Sequence, residues 1–284
     1  MIDWPKSLIS EIAERRCILF LGAGVSASAT TDDGKQPPTW VAFLKDAAKL
    51  VKDANFNAAI DELIDAGELL LALQAICNCA DEGDFQDLLN EIFHEPNYTP
   101  SDLHKAIYNL DSRIVITTNF DKIYDGYCMQ PKNEGFKVIP YNSTSLADEI
   151  RSNRRLIIKA HGTIDDVRQM IFTRKQYHEA KRDHGKFYEI LKALFVTHTC
   201  VFIGCGMNDP DINLLLEDVK ILGTSSRPHY ALVWKNSQNQ FRIQDWANTY
   251  NVKALEYEPD HVALTNSLVT LFDEVDKLRM STNL

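Results

Sequence analysis

The feature that most constrains the fold is an apolar run, Cys17 to Leu21, which leads directly into the glycine turn Gly22-Ala23-Gly24. Such a run is typical of a strand that is buried on both faces of a parallel sheet. The pattern Gly22-x-Gly24-x-x-Ala27 satisfies the dinucleotide-binding fingerprint, in which glycine lets the backbone approach a pyrophosphate at a helix N-terminus. A tight turn with no ligand is the alternative. A P-loop is excluded, because no Gly-Lys-Ser/Thr follows.

The chain beyond residue 110 alternates between apolar runs and helical patterns, which is typical of an α/β fold with a doubly wound parallel sheet. Between residues 40 and 110, apolar residues recur at three- and four-residue spacing and predict about four or five helices. We therefore expect one domain: a Rossmann-like lobe of residues 1–39 and 111–284 with an inserted helical lobe of residues 40–110. A short amphipathic helix opens the chain, and Asp3 is its expected N-cap. The predicted later strands are RIVITT, FKVIPY, RLIIKAH, CVFIGC, HYALVW and VKALEY.

Composition narrows the class of partner. The net charge is −10 and the isoelectric point is about 5.3, which argues against strong binding to nucleic acid or to an anionic membrane. Six cysteines are present, but no C-x-x-C pair, so no structural zinc is expected. The first residues lack the basic head and apolar core of a signal peptide, and no apolar run reaches the length of a membrane span. We expect a cytoplasmic protein.

Polar and glycine residues follow four of the apolar runs. Asn119 and Asp121 come after RIVITT, His161 comes after RLIIKA, and Gly204 and Gly206 come after CVFI. In an open parallel sheet, ligands bind outside the carboxyl ends of the strands. The sequence therefore predicts one binding site that combines these residues with the glycine turn.

Each of these residues also has a structural explanation. Asn119 and Asp121 can cap the helix that follows them, and His161 can be a core histidine instead of a base that titrates near neutral pH. Asp209 is assigned mainly to structure, as the N-cap of the next helix. A dehydrogenase would carry an acidic residue at the end of a second strand about 20 residues after the turn. Asp46 has that spacing but lies in a helical pattern, so the dehydrogenase plan is not followed.

The motifs GAGVS, TTNFD, KAHG and FIGCGMNDPDI, together with PPTWVAFL and IFTRKQY, resemble the sirtuin family from about Cys17 to Trp234. The closer likeness is to the prokaryotic branch found in antiviral defence systems. Sirtuins bind NAD between a Rossmann lobe and a smaller lobe and break the bond between nicotinamide and ribose.

The resemblance implies a role for each matching residue. Asn119 would position a ribose hydroxyl or a water, and His161 would be the general base. Asp121 would hold the nicotinamide amide, next to Thr118, which replaces the glutamine of deacylating sirtuins. The pyrophosphate would be cradled by Gly22, Ala23, Gly24 and Ser26, and the adenosine side would be lined by Gly204 and Gly206.

Two departures weaken the likeness to deacylating sirtuins. Their two zinc-binding cysteine pairs are missing, and their GIPDFR segment has no match in TTDDGKQPPTW. The defence branch resembles a hydrolase with water as acceptor. We therefore expect an NAD glycohydrolase, which converts NAD and water to nicotinamide and ADP-ribose and depletes cellular NAD in antiphage defence. The alternatives are an NAD-dependent deacylase or ADP-ribosyltransferase and a non-catalytic sensor of NAD or ADP-ribose.

The same resemblance implies regulation through assembly. We expect a homo-oligomer and a separate regulatory partner, with a DNA-translocase-type ATPase favoured over an Argonaute-like protein or a nucleotide sensor. The N-terminal helix and the acidic helical lobe are the candidate assembly surfaces. No direct contact with nucleic acid or membrane is expected.

Overall fold

The sheet is parallel throughout and contains every strand that the sequence predicts. A computed structural model describes residues 2–133, 135–207, 216 and 227–282. The strands of this part are β1 Cys17–Leu21, β2 Ile114–Thr117, β3 Lys137–Pro140, β4 Leu156–Lys159, β5 Thr199–Ile203, β6 His229–Trp234 and β7 Val252–Tyr257. Their spatial order is β3-β4-β2-β1-β5-β6-β7. The predicted α/β fold with a doubly wound parallel sheet is confirmed.

The helices lie between the strands and in the long connection from β1 to β2. That connection carries α2 Ala23–Ser26, α3 Trp40–Ala48, α4 Ala54–Asp65, α5 Leu69–Cys79, α6 Glu82–Phe93 and α7 Asp102–Asn109. The others are α1 Lys6–Ala13, α8 Ile123–Cys128, α9 Leu146–Arg151, the 3₁₀ helix Ile164–Gln169, α10 Arg174–Asp183, α11 Gly185–Thr197, α12 Gln240–Tyr250 and α13 His261–Thr282.

Two predictions about helix starts have different outcomes. The prediction that Asp3 caps the first helix is wrong: Pro5 occupies the N-cap position of α1, in an extended conformation and with no side-chain cap. Proline suits this place because the missing N–H has no helical partner there. The predicted helix that begins at Asp209 lies outside the described residues. None of the described helices is long and apolar enough to cross a membrane.

The four central strands are β4, β2, β1 and β5, and every residue in them is buried. Alternate side chains of β1 enter two different apolar clusters, because successive residues of a strand point to opposite faces. Leu19 and Leu21 pack on one face with residues of α1, α7 and α13, whereas Ile18 and Phe20 pack on the other with residues of α11 and α12. Burial on both faces explains why these runs are continuously apolar.

The helices between β1 and β2 divide between two cores. The buried side chains of α3 to α6 form a third apolar cluster, which also contains Phe120 and Phe172 from the sheet side. The buried side chains of α7 belong instead to the sheet cluster that contains Leu19. The boundary of the helical lobe at residue 110 stays a prediction.

Register brings the ends of the four central strands to one level. Leu21, at the end of β1, pairs with Thr117 of β2 on one side and with Ile203 of β5 on the other. Thr117 in turn pairs with Lys159 at the end of β4. The loops that leave these four strands therefore begin side by side at the carboxyl edge of the sheet, where ligands bind in such folds.

Two buried histidines make the stability depend on pH. Burial lowers the pKa of His104 and of His229 to about 4, whereas a histidine in the unfolded chain titrates near 6.5. Between these pH values the unfolded state binds more protons, so the free energy of unfolding falls as the pH falls. For each histidine the loss between pH 7.5 and pH 5 is about 2 kcal/mol.

The variant His229→Asn tests this contribution. The Nδ1 atom of His229 accepts the Cys200 N–H at 3.1 Å, and an asparagine oxygen can take that place without titrating. We expect His229→Asn to lose about 2 kcal/mol less than the wild type between pH 7.5 and pH 5 in urea unfolding. His178→Asn, at an exposed histidine, is the control and should follow the wild type. An equal pH dependence of all three proteins would contradict the prediction.

Candidate active site

The glycine turn packs directly against the loop that follows β5. The Gly22 N–H donates to the Ile203 carbonyl at 3.0 Å, and the Gly24 N–H donates to the Gly204 carbonyl at 2.9 Å. A Cβ atom on Gly22 would lie 2.5 Å from the Gly204 oxygen. Gly204 itself has φ +65°, and a Cβ there would lie 2.6 Å from the Val25 nitrogen. These glycines are therefore required by the contact of two main chains.

A chain of hydrogen bonds connects the glycine turn with the loop after β2. The Ser26 hydroxyl donates to Asp121 Oδ2 at 2.7 Å, and Asn119 Nδ2 donates to Ser26 Oγ at 2.9 Å and to the Gly22 carbonyl at 3.0 Å. The Gly22 carbonyl can only accept, and the Ser26 proton is already given to Asp121. The amide of Asn119 is thus held in one orientation with both Nδ2 protons used, and no described residue donates to its Oδ1, which can accept a hydrogen bond from a ligand.

Asp121 is buried and serves two structural contacts at once. Its Oδ2 accepts from Ser26, and its Oδ1 accepts the N–H of Ile123, the first residue of α8, at 3.0 Å. The second contact is a local turn contact and not the expected helix cap, because the N-cap of α8 is Lys122 and no side chain caps the helix. Asn119 makes no such contact with α8; its own N–H donates to Thr117 Oγ1 at 3.0 Å.

His161 lies where the chain leaves β4. Its carbonyl accepts the Ile171 N–H at 2.9 Å, so the segment that precedes α10 runs beside it. The side chain of His161 lines the same cavity as Asn119. The structure thus brings the amide and the imidazole to one cavity, although more than one strand separates them in sequence.

That cavity has a volume of about 580 Å³, which lies within the about 300–1,000 Å³ range of small-molecule sites. It contains all the site residues that the sequence predicts, and no predicted residue lies elsewhere: Gly22, Ala23, Gly24, Ser26, Thr118, Asn119, Asp121, His161, Gly204 and Gly206. Their roles toward a ligand stay predictions. Nothing lies within 4 Å of a Cβ placed on Gly206, so that glycine, unlike Gly204, borders open space.

Five aromatic side chains that the sequence analysis did not single out also line the cavity: Trp40, Phe43, Phe93, Phe120 and Phe172. Ring centroids are 5.3 Å apart for Trp40 and Phe43, 5.7 Å for Phe43 and Phe93, 6.4 Å for Phe93 and Phe120, and 4.5 Å for Phe120 and Phe172. Four of these rings lie within apolar patterns that read as core, which is why periodicity gave no signal for them. These rings make part of the lining apolar and offer faces on which a planar ring can stack.

Charged groups are few in the cavity. Among the described residues, its lining contains the charged side chains of Glu68, Asp121 and Arg174, and Arg174 is the only Lys or Arg there. The described residues contain no group of three or more His, Cys, Asp or Glu side chains that could hold a metal ion. The described part of the lining therefore offers main-chain groups, the Asn119 amide, the His161 imidazole and the Arg174 guanidinium to a ligand.

The comparison with known protein families agrees with this arrangement. A model of the SIR2-like domain matches residues 113–255, half of the chain. The chain belongs to the SIR2-like family. The matched range begins at β2 and includes Asn119, Asp121, His161 and Gly204, and the resemblance to sirtuins inferred from the motifs is confirmed.

Individual relatives of the SIR2-like chain are distant in sequence. It is 26% identical over 243 residues to the NAD(+) hydrolase ThsA of Enterococcus faecium, which covers 83% of the chain and 47% of that relative. It is 28% identical over 237 residues to defense-associated sirtuin 2 of Bacillus subtilis, with coverages of 80% and 21%. For the NAD(+) hydrolase ThsA of Acinetobacter baumannii the identity is 24% over 279 residues, with coverages of 96% and 53%. The chain thus spans about half, or less, of these relatives.

The packing of the glycine turn predicts the effect of a single methyl group. Gly22→Ala should lower the free energy of unfolding by about 1–3 kcal/mol, because the new Cβ meets main-chain atoms that cannot move away cheaply. The matched control is Gly126→Ala inside α8, where a Cβ would meet nothing within 4 Å. That change should raise stability by up to about 1 kcal/mol through helix propensity. Urea unfolding measures both, and equal stabilities would contradict the account of the turn.

Proposed function

We propose that the SIR2-like chain is an NAD glycohydrolase, which cleaves the bond between nicotinamide and ribose and transfers the ribose to water. The observation that carries the proposal is the placement of an oriented Asn119 amide and the His161 imidazole on one cavity beside the glycine turn. The name NAD(+) hydrolase, carried by relatives from Enterococcus faecium and Acinetobacter baumannii, supports the same activity.

The chemistry makes modest demands on the protein. Cleavage gives an oxocarbenium-like ribose and neutral nicotinamide, so no acid is needed to protonate the leaving group. Oδ1 of Asn119 would accept a hydrogen bond from a ribose hydroxyl or from the attacking water, because both Nδ2 protons are already donated. His161 would be the base that removes the proton from the nucleophile. A positioned base raises the rate about 10²–10⁴-fold. Alignment of the scissile bond and preorganised dipoles would supply the rest of the rate acceleration.

The remaining residues of the cavity would bind the dinucleotide. Main-chain groups of Gly22, Ala23 and Gly24 would face the pyrophosphate. Gly204 and Gly206 would line the adenosine side of the dinucleotide, which would occupy the open space next to Gly206. Thr118 and Asp121 would lie on the nicotinamide side. In this arrangement Ser26 supports the site mainly by holding Asn119, since its hydroxyl proton is given to Asp121.

Asn119→Ala and His161→Ala test the activity. We expect nicotinamide release from NAD, followed by chromatography, to fall at least about 100-fold in each variant. ADP-ribose should still raise the melting temperature of both, because the glycine turn is untouched. His178→Ala, an exposed histidine outside the cavity, is the control and should keep full turnover.

The products separate the proposal from its alternatives. Free ADP-ribose identified by mass supports hydrolysis, whereas O-acyl-ADP-ribose or an ADP-ribosylated protein would identify a transferase. Tight nucleotide binding without cleavage under any condition would identify a sensor. Undiminished turnover in both Asn119→Ala and His161→Ala would refute the assignment of the catalytic pair.

We propose further that the protein acts in the cytoplasm, as the effector of an antiphage system that depletes NAD. The name of the Bacillus subtilis relative, defense-associated sirtuin 2, supports a role in defence. An enzyme that destroys NAD must be silent in a healthy cell, so we infer a homo-oligomer whose activity depends on a separate regulatory partner, a DNA-translocase-type ATPase in preference to an Argonaute-like protein or a nucleotide sensor. From Asp53 to Asp102 the chain contains no Lys or Arg, and this charge favours a partner with a basic docking surface.

Co-expression with the neighbouring gene products tests this regulation. We expect the isolated chain to release nicotinamide slowly and the co-purified assembly to release it at least about tenfold faster, a change equal to about 1.4 kcal/mol in barrier. Light scattering on the same samples gives the mass of the assembly. The Asn119→Ala chain in the same assembly should be inactive. Full turnover by an isolated monomer, with no increase on assembly, would contradict the proposal.

A further inference from the structure

A buried lysine, Lys159, lies next to the candidate active site in sequence but does not line its cavity. Lys159 ends β4, two residues before His161, and its side chain is fully buried. A lysine in such a place is unfavourable unless its ammonium finds partners, since burial removes the water that would solvate the charge. Lys159 Nζ donates to the main-chain carbonyl of Asp121 and contacts both oxygens of Asp125, at 3.4 and 3.2 Å.

These partners come from the loop and helix that follow β2. Asp121 stands two residues after Asn119, and Asp125 lies in α8. The contact therefore joins the strand that ends at His161 to the loop that carries Asn119. β2 and β4 are paired as far as Thr117 and Lys159. Beyond that point one main-chain hydrogen bond, from the Ile164 N–H to the Phe120 carbonyl at 3.0 Å, joins the two loops, and the buried Lys159 side chain adds a second contact nearer to His161.

The hydrogen-bond chain continues from Asp121 to the Asn119 amide. Lys159 fixes the main chain of Asp121, the Asp121 carboxylate accepts from Ser26, and Ser26 accepts from Asn119. The Asp125 carboxylate supplies the negative charge that a buried ammonium needs. Burial raises the pKa of the Asp125 carboxyl, and the Lys159 ammonium opposes that rise.

We propose that Lys159 is a positioning residue: through the Asp121 carbonyl it sets the separation between Asn119 and His161, and Asp125 is its counter-ion. This inference rests on the proposed NAD glycohydrolase activity. A misplacement of about 1 Å between reacting groups can reduce turnover about 100-fold, so loss of this hydrogen bond has a measurable effect. Lys159 does not line the cavity, so its proposed effect on the site is through the position of the Asp121 main chain.

Replacing both Lys159 and Asp125 separates an effect on the geometry of the site from an effect on the stability of the protein. In Lys159→Met/Asp125→Asn no charge of the pair stays buried alone, so the protein should fold with a melting temperature close to that of the wild type. The hydrogen bond to the Asp121 carbonyl is nevertheless lost. We expect kcat for NAD cleavage to fall about 10- to 100-fold, with KM changed less than about threefold.

The single variant Asp125→Asn is the matched control. It keeps Lys159 and therefore the bond to the Asp121 carbonyl, so kcat should stay within about threefold of the wild type even where stability falls. A merely structural ion pair predicts the opposite order, with activity following stability. If the double variant does not fold, Lys159→Gln replaces it: the amide nitrogen stands one atom nearer the main chain, fails to reach the Asp121 carbonyl, and should lower kcat in the same way.

A crystal structure of the variant makes the result independent of the assay. A change in the distance between the Asn119 and His161 side chains supports the inference, and an unchanged distance overturns it whether or not the wild type cleaves NAD. Wild-type kcat in the folded double variant, with Asn119→Ala inactive, would overturn the positioning role and leave the proposed function intact. No turnover by the wild type in any assembly would refute the proposed function instead.

Discussion

The contact between two main-chain turns at the carboxyl edge of the sheet is the constraint on which the site depends. Gly22 and Gly24 give their N–H groups to the chain that leaves β5, and the nearest approach leaves no room for a Cβ atom. β1 lies between β2 and β5 in the sheet. The contact that fixes the glycine turn against the loop after β5 therefore also fixes the side of that turn that faces the loop after β2. The Gly22 carbonyl, one of the two acceptors that hold the Asn119 amide, is part of that turn.

The polar side chains of the site are therefore held in place by contacts within the fold and not by a ligand. Asn119, Ser26 and Asp121 hydrogen-bond one another in a single consistent arrangement, and within the described part of the chain no group donates to the side-chain oxygen Oδ1 of Asn119. Preorganisation of this kind costs nothing when a ligand arrives, because the amide does not have to give up another orientation. The hydrogen bonds of Asp121 and Ser26 within the fold therefore fix the geometry of the site.

Much of the fold was predictable because its central strands are buried on both faces and some of them are followed directly by glycine. The positions of the four central strands follow from nearly continuous apolar runs, and the convergence of Asn119 and His161 on one cavity follows from the rule for carboxyl ends of parallel strands. The order of the strands and the pairing of β1 with β5 could not be predicted, since nothing local distinguishes one parallel neighbour from another. Lys159 was missed for a related reason. In RLIIKAH it looks like the polar end of a strand, and its buried partners lie 34 and 38 residues away in sequence.

The distribution of charge connects the cavity to the helices around it. Glu68, at the N-cap of α5, lines the cavity, and the chain on either side of it contains only acidic charges from Asp53 to Asp102. A dinucleotide carries a negative pyrophosphate, so this surface opposes its approach, while Arg174 is the one guanidinium among the described residues of the lining. Long-range repulsion of this kind acts on the rate of encounter and weakens with salt. The basic partner proposed above would weaken this repulsion by placing positive charge on the acidic helices, without moving any residue of the site.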